Sequence, residues 1–265
     1  MNDAWIYKVL FAVQLMIFLL PQAVRAQTPS NLAAWIGYEL YLPFKEKGRW
    51  GLLLEGYAKG NKFVSQLQGA FYRIGASYYT KGGNRFGVGY AYQWNIPYDE
   101  VSLSYANPDY RVYEQFIWRI PRRNGDVVWT QRFRMEQRWL GRKDGPNYDE
   151  DGFNHYKFEN TLRYQFRYQR WFKPRWGWTA YDELHIRTTA MIDNENFIDQ
   201  NRVYLGGMYS LDKKREIRLE LGYMNQSFFE SVDTRSGRSR VNHTIRITIT
   251  ADYPMKHSRV ESEKN

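Results

Sequence analysis

Residues 129–140 read Trp129-Thr130-Gln131-Arg132-Phe133-Arg134-Met135-Glu136-Gln137-Arg138-Trp139-Leu140, and they sort two incompatible chemistries onto a two-residue period. One phase carries Arg132, Arg134, Glu136 and Arg138; the other carries Trp129, Phe133, Met135 and Trp139. A helix would mix the two sets, whereas an extended strand sends successive side chains to opposite faces and keeps them apart. A soluble sandwich would bury the apolar face. An outer-membrane barrel would turn that face to lipid and the arginines to its lumen.

The rest of the chain repeats the pattern. Alternating segments run over Leu32–Leu42, Arg49–Ala58, Ala70–Thr80, Arg85–Trp94, Tyr110–Ile120, Trp129–Leu140, Tyr156–Phe172, Trp176–Thr188, Gln200–Leu211, Glu216–Gln226 and Val241–Tyr253, with turn residues between them and no sustained helical period. The plainest hairpin sets Tyr72, Ile74, Ala76 and Tyr78 against Arg73, Gly75 and Ser77, turns at Lys81-Gly82-Gly83-Asn84, and returns with Phe86, Val88, Tyr90, Tyr92 and Trp94 opposite Gly87, Gly89, Ala91 and Gln93. Bulk lies on the apolar face and small or polar residues on the other. That is the reverse of a soluble core. Asp182 falls in an apolar phase that this register does not explain; a nearby bulge is one way to place it.

Connections alternate in length. Those beginning at Pro43, Lys81, Pro121, Lys173 and Asp212 are short; those beginning at Lys59, Asn95, Gly141, Thr189 and Ser227 are longer and polar. This is the asymmetry of periplasmic turns and extracellular loops. Trp50, Trp118, Trp129, Trp171, Trp176 and Trp178 sit near the short-turn ends, where an interfacial girdle belongs. After the leader, prolines fall in tails, turns or strand termini, as a hydrogen-bonded ladder requires. The pattern therefore predicts an all-β, transmembrane, antiparallel up-and-down barrel of 10–12 strands. Eleven segments conflict with the even number usual in bacterial single-chain barrels, and counting back from the last strand starts the first on the outer side. A strand hidden near Val101–Tyr105, a split strand or an irregular first segment would each restore parity.

Composition bounds the class. The chain has 265 residues, a formal net charge of +10, no cysteine, and 18% aromatic residues with Tyr 22, Phe 15 and Trp 10. A mean hydropathy of −0.69 excludes a bundle of apolar membrane helices but not a barrel whose residues alternate between lipid and water. Without cysteine, disulfides and thiolate metal sites are excluded. Residues 1–26 read as an export signal: Lys8 precedes the apolar run Val9–Leu20, Pro21 breaks it, and Val24-Arg25-Ala26 precedes the expected cut before Gln27. Residues 27–254 form the expected barrel domain and 255–265 a polar tail, giving an expected address in the outer membrane of a Gram-negative bacterium.

The candidate lumen-lining cluster comprises Arg132, Arg134, Glu136, Arg138, Arg163, Gln165, Arg167, Glu183, His185, Arg202, Arg218, Glu220 and Arg246, all in polar phases. Two readings follow: a cationic wall that passes or binds small anions, or a charge network that fills a lumen of intermediate width. Chemistry beyond that is sparse. A membrane lipid hydrolase needs a nucleophile beside a base, yet His243 is followed two residues on by Ile245 and His185 by Arg187. His155, His185, His243 and His257 are scattered, and Asn147–Gly152 lacks the twelfth-position Glu of a calcium loop, which is Phe158. No catalytic residue, cofactor or metal site is assigned. Interleaved basic residues do not form a nucleic-acid motif; outer-membrane lipids, lipopolysaccharide and small solutes are the expected partners, with the oligomeric state open. A soluble periplasmic barrel that binds a ligand is the remaining alternative.

The blocks Arg132-Phe133-Arg134-Met135-Glu136-Gln137-Arg138-Trp139, Leu162-Arg163-Tyr164, Asp193-Asn194-Glu195, Gln200-Asn201-Arg202 and Glu220-Leu221-Gly222-Tyr223 through Gln226 resemble the family named domain of unknown function 2490, over about Trp35 to Tyr253. The resemblance implies an outer-membrane β-barrel without an established activity, and it supplies no catalytic residue.

Overall fold

The computed structural model describes residues 30–44, 49–97, 105–143, 155–189, 197–229 and 240–253. The signal segment 1–26, the acidic stretch 147–152 and the tail 255–265 lie outside the described residues. Eleven strands close into one barrel: β1 (Ser30–Pro43), β2 (Trp50–Asn61), β3 (Gln66–Tyr79), β4 (Arg85–Asn95), β5 (Asn107–Arg122), β6 (Val127–Arg142), β7 (His155–Trp171), β8 (Trp176–Arg187), β9 (Ile198–Ser210), β10 (Ile217–Phe228) and β11 (Arg240–Asp252). Each expected segment is one strand. The wall is closed by these eleven strands of the described residues; 101–104, where a further strand was expected, lie outside the described residues.

Neighbours along the chain pair antiparallel, but the closing pair does not: β1 and β11 run parallel from Ser30↔Val241 to Tyr41↔Asp252. The geometry demands it. In a meander each strand reverses the last, so an odd number leaves the first and last pointing the same way. The expectation of a wholly antiparallel sheet is corrected at this one seam, and the parity conflict is resolved by parallel closure instead of by a missing strand. β1 consequently starts at the same end of the barrel as β11.

One expected loop is also corrected. The stretch 59–69 is not a long connection: β2 continues to Asn61 and β3 begins at Gln66, leaving only 62–65 between them. The reason is a bulge. Lys59 pairs with Gly69 and Gly60 with Leu67, so Gln68 is an extra residue in β3, and Gly69 takes φ 146 to accommodate it. Alternation changes phase there, which removes the two-residue signature without ending the strand. The other connections keep their asymmetry, with 80–84, 123–126 and 172–175 at one end and 96–106, 143–154 and 229–239 at the other.

Side chains follow the alternation. On the outer wall Ile74, Val88 and Leu205 are 52%, 59% and 60% exposed, and aromatic neighbours stack across strands, as Phe86 does on Phe116 with ring centroids 4.7 Å apart. Trp50, Trp118 and Trp176 are exposed near the short-turn end. Trp171 is not in that girdle: it shares the inward phase of Arg167 and Gln169 and is buried, with Arg215 over its ring at 5.0 Å. Asp182 does face outward, yet it is buried and accepts a hydrogen bond from Asn201 Nδ2 at 2.8 Å. The register shift in β8 falls at His185/Ile186, so a bulge does not explain its placement.

Candidate functional site in the barrel lumen

Strand periodicity decides what enters the lumen, because each inward position is two residues from the next on the same strand. Arg132, Arg134, Glu136 and Arg138 of β6 point inward beside Arg163, Gln165 and Arg167 of β7, with Arg134 paired directly to Arg163 in the ladder. Two guanidiniums side by side would repel. They are tolerated because carboxylates from several strands are shared among them.

Glu136, 1% exposed, is the centre of the lattice. It accepts from Arg73 Nη2 at 2.8 Å, Arg111 Nη1 at 2.9 Å and Arg163 Nη1 at 2.8 Å. Glu183 accepts from Arg132 Nη2 at 2.7 Å and Arg163 Nη2 at 2.9 Å, with His185 Nε2 at 3.3 Å and Arg202 Nη1 at 3.4 Å. Arg134 reaches Gln115 Oε1 at 2.8 Å, while its nearest carboxylate oxygens are 3.8 and 3.9 Å away. Arg138 binds Asp109 at 2.8 Å. Burying a carboxylate is costly unless its lone pairs are filled by charged donors, and here each is filled more than once.

A second group reaches from β7 across the lumen to β10, β11, β1 and β2. Arg167 holds Glu220 at 2.5 Å, and Arg218 Nε donates to the same carboxylate at 2.8 Å. Arg246 of β11 donates to Glu39 at 2.5 Å and to Tyr181 Oη at 3.1 Å, and Tyr57 Oη donates to Glu39 at 2.5 Å. The structure thus places the thirteen sequence-selected residues on the inner wall, with the arginines and carboxylates among them in two ion-pair groups instead of one cationic stripe.

Several residues of the site were not selected from sequence. Glu39, Glu55, Arg73, Asp109 and Arg111 carry the same two-residue signal as the selected set and were legible in principle. Lys59 keeps the inward phase of Glu55 and Tyr57 but was not, because its neighbours Ala58, Gly60 and Asn61 offer no apolar alternation and the segment reads as a loop. Trp35, Tyr57 and Phe71 are aromatic residues on the inward phase, and they read as outer-wall residues only while large side chains are assumed to face lipid.

These side chains leave a cavity of about 390 Å³ in the half of the lumen nearer the long loops, lined among others by Trp35, Lys59, Phe71, Arg111, Gln200 and Arg202. Its floor is the two ion-pair groups. Below the floor the lumen is packed: Tyr41, Leu53, Tyr113 and Ile117 form a buried apolar cluster, Arg85 sits over the rings of Tyr41 and Tyr79 at 4.6 and 5.1 Å, and Asp252 is paired with both Arg85 and Arg119. Tyr113 is seated against Gly75 and Gly89, where a Cβ would collide with its hydroxyl. None of these packed side chains, from Tyr41 to Asp252, lines the cavity.

Neither histidine with a described side chain has a serine or threonine hydroxyl among its hydrogen-bond partners. His185 rests on Glu183, and His243, on the outer wall, shares a 2.5 Å hydrogen bond with Tyr223 Oη. Among the described residues no cluster of His, Asp or Glu has the arrangement of a metal site. Comparison with curated proteins gives no match. The model of the family described as "Protein of unknown function (DUF2490)" matches residues 32–237, most of the barrel from β1 onward, and the chain therefore belongs to that family.

Proposed function

We propose that the chain is an integral outer-membrane barrel that carries a one-ended binding cup, open toward the long loops, and no through-channel. The inverted wall supports membrane residence: exposed apolar and aromatic residues run around the outside while the arginines face inward, and an apolar surface of that extent is not stable in water. An export signal at 1–26 fits the same address. Lipids, including lipopolysaccharide, are the partners this outer wall suits.

The observation that carries the reading is the contrast between the two halves of the lumen. The cavity ends on the shared carboxylates Glu39, Glu136 and Glu183, and beneath them Leu53, Tyr79 and Tyr113 are at most 1% exposed. Solute passage would need to break several buried ion pairs and displace this packed layer. Reconstitution into planar bilayers tests it: the expected result is no steady current, and stable single-channel conductance would refute the closed reading.

A second reading, a narrow path for small anions, is favoured by the excess of basic over acidic side chains on the inner wall. Anion-selective current would establish it. No enzymatic role is proposed. Lipid hydrolysis by the purified protein, lost on replacing His243 or His185, would overturn that position.

A further inference from the structure

Lys59 is the least expected residue in the cup. Its side chain is inward on β2 and it is 9% exposed, yet its Nζ is matched by a neutral group, donating to Gln93 Oε1 at 2.9 Å. Its other close contacts are ring faces, Trp35 at 4.6 Å and Phe71 at 5.5 Å. Among the described residues no carboxylate lies within ion-pair distance of it, although Glu and Asp side chains are plentiful on this wall. They are engaged elsewhere: Asp109 and Glu136 hold Arg111 at 2.5 and 2.9 Å, and Glu183 is shared among Arg132, Arg163 and Arg202.

An ammonium withdrawn from water without a counter-charge is unfavourable, and cation–π contacts offset only part of the loss. The site stands to gain from an anion. Arg202, four strands round the wall on β9, reaches the same ring across the cup, its guanidinium 5.5 Å from the Trp35 ring centroid and its Nη2 on Gln200 Oε1 at 3.1 Å. Trp35 and Phe71 face Lys59, and the apolar side chains of Met224 and Phe228 line the same cavity among its more numerous polar residues. A charged corner adjoining an apolar wall is the pattern of a small-molecule pocket, in which a few polar groups fix orientation and apolar area supplies affinity.

From this juxtaposition we propose that the cup binds a small organic carboxylate with an apolar body, its carboxylate on Lys59 and Arg202 and its body against Phe71 and Met224. The proposal deepens the reading of the barrel as a binding cup and rests on it.

The test is calorimetric titration of the detergent-solubilised full chain with benzoate, acetate and benzyl alcohol. Benzoate is expected to bind at least tenfold more tightly than acetate, and benzyl alcohol not to compete. In Lys59→Met, which keeps the length of the side chain, benzoate affinity falls at least tenfold; in Lys59→Arg it is retained. Retained heat-modifiable migration in electrophoresis establishes that each variant is folded. Equal binding of benzoate by wild type and Lys59→Met overturns the proposal, as does the absence of benzoate binding or equal affinity for acetate. Bilayer recordings on the same samples separate the two claims: current together with Lys59-dependent binding refutes the closed lumen alone, whereas a silent barrel that ignores benzoate refutes the ligand class alone.

Discussion

Replacing Glu136 by Gln removes one negative charge and almost no volume, so it isolates the electrostatic role of the lattice centre. Three guanidiniums donate to this carboxylate at 2.8, 2.9 and 2.8 Å. Each charge-assisted hydrogen bond is worth about 1.5–3 kcal/mol. The three are not additive, because Arg73 retains Glu55, Arg111 retains Asp109 and Arg163 retains Glu183. The expected loss is therefore nearer the about 3–5 kcal/mol typical of leaving a buried charge uncompensated. Urea unfolding of the detergent-solubilised protein, followed by the fluorescence of its barrel tryptophans, gives the difference by linear extrapolation. A loss below about 1 kcal/mol would refute the reasoning, since it would mean that water screens these pairs and the lumen is not the low-dielectric interior their burial implies. A second arm sharpens the test. Adding Arg163→Met to Glu136→Gln removes one of the stranded cations, so the double variant should be more stable than the sum of the single effects, by about 1 kcal/mol or more.

Other perturbations address the wall, the floor and the turns. Phe133→Lys places a cation at the middle of the outward phase of β6, and folding into lipid vesicles should be disfavoured by about 2–4 kcal/mol relative to wild type; unchanged vesicle folding would remove the lipid-facing assignment of that phase. Gly75→Ala sets a methyl against both the Tyr113 hydroxyl and the Val88 carbonyl oxygen and should cost about 1–3 kcal/mol by overpacking, measured by the same urea titration, an unchanged midpoint refuting the tight packing of this layer. At the turn 211–216, partial burial raises the Asp212 pKa, but the backbone N–H groups of Ile217, Lys214 and Glu216 outweigh it and hold the carboxyl below its ordinary value of 3.8. A depressed folded-state pKa gives stability that is present above the unfolded value and lost as pH falls through the folded one. Asp212→Asn should therefore flatten the acid limb of stability below about pH 4 and leave its slope at neutral pH unchanged, which urea midpoints across pH 3–7 would read.

The strands were legible because their signal is local. In β6 a polar residue two positions from another must share its face, so the inward set from Arg132 to Arg138 could be assigned without knowing what lies across the lumen. The same rule separates Ile245, Ile247 and Ile249 from Thr244, Arg246 and Thr248 in β11. Legibility failed where alternation itself was interrupted. At Gln68 one extra residue shifts the phase of β3, and opposite it Lys59, still in phase with Glu55 and Tyr57, reads as part of a polar loop because Ala58, Gly60 and Asn61 beside it carry no apolar signal. Trp171 failed for a different reason: its register is inward, while its chemistry suggested the girdle.

The partners of these residues are another matter. Arg73 meets Glu136 across 63 positions and Arg246 meets Glu39 across 207. Such contacts depend on the diameter of the barrel and the stagger of its strands, which no single strand specifies.

From the sequence alone come the strand order, the inward and outward faces, the asymmetry of the loops and the family. All are properties of alternation and spacing within short segments. Only the closed tertiary structure decides that β1 seals parallel to β11, that the arginines of Trp129–Leu140 are bound by carboxylates from distant strands, and that one half of the lumen is packed while the other is a cup. Those outcomes are set by which side chains converge on the barrel axis. That convergence exists only after the eleventh strand has met the first.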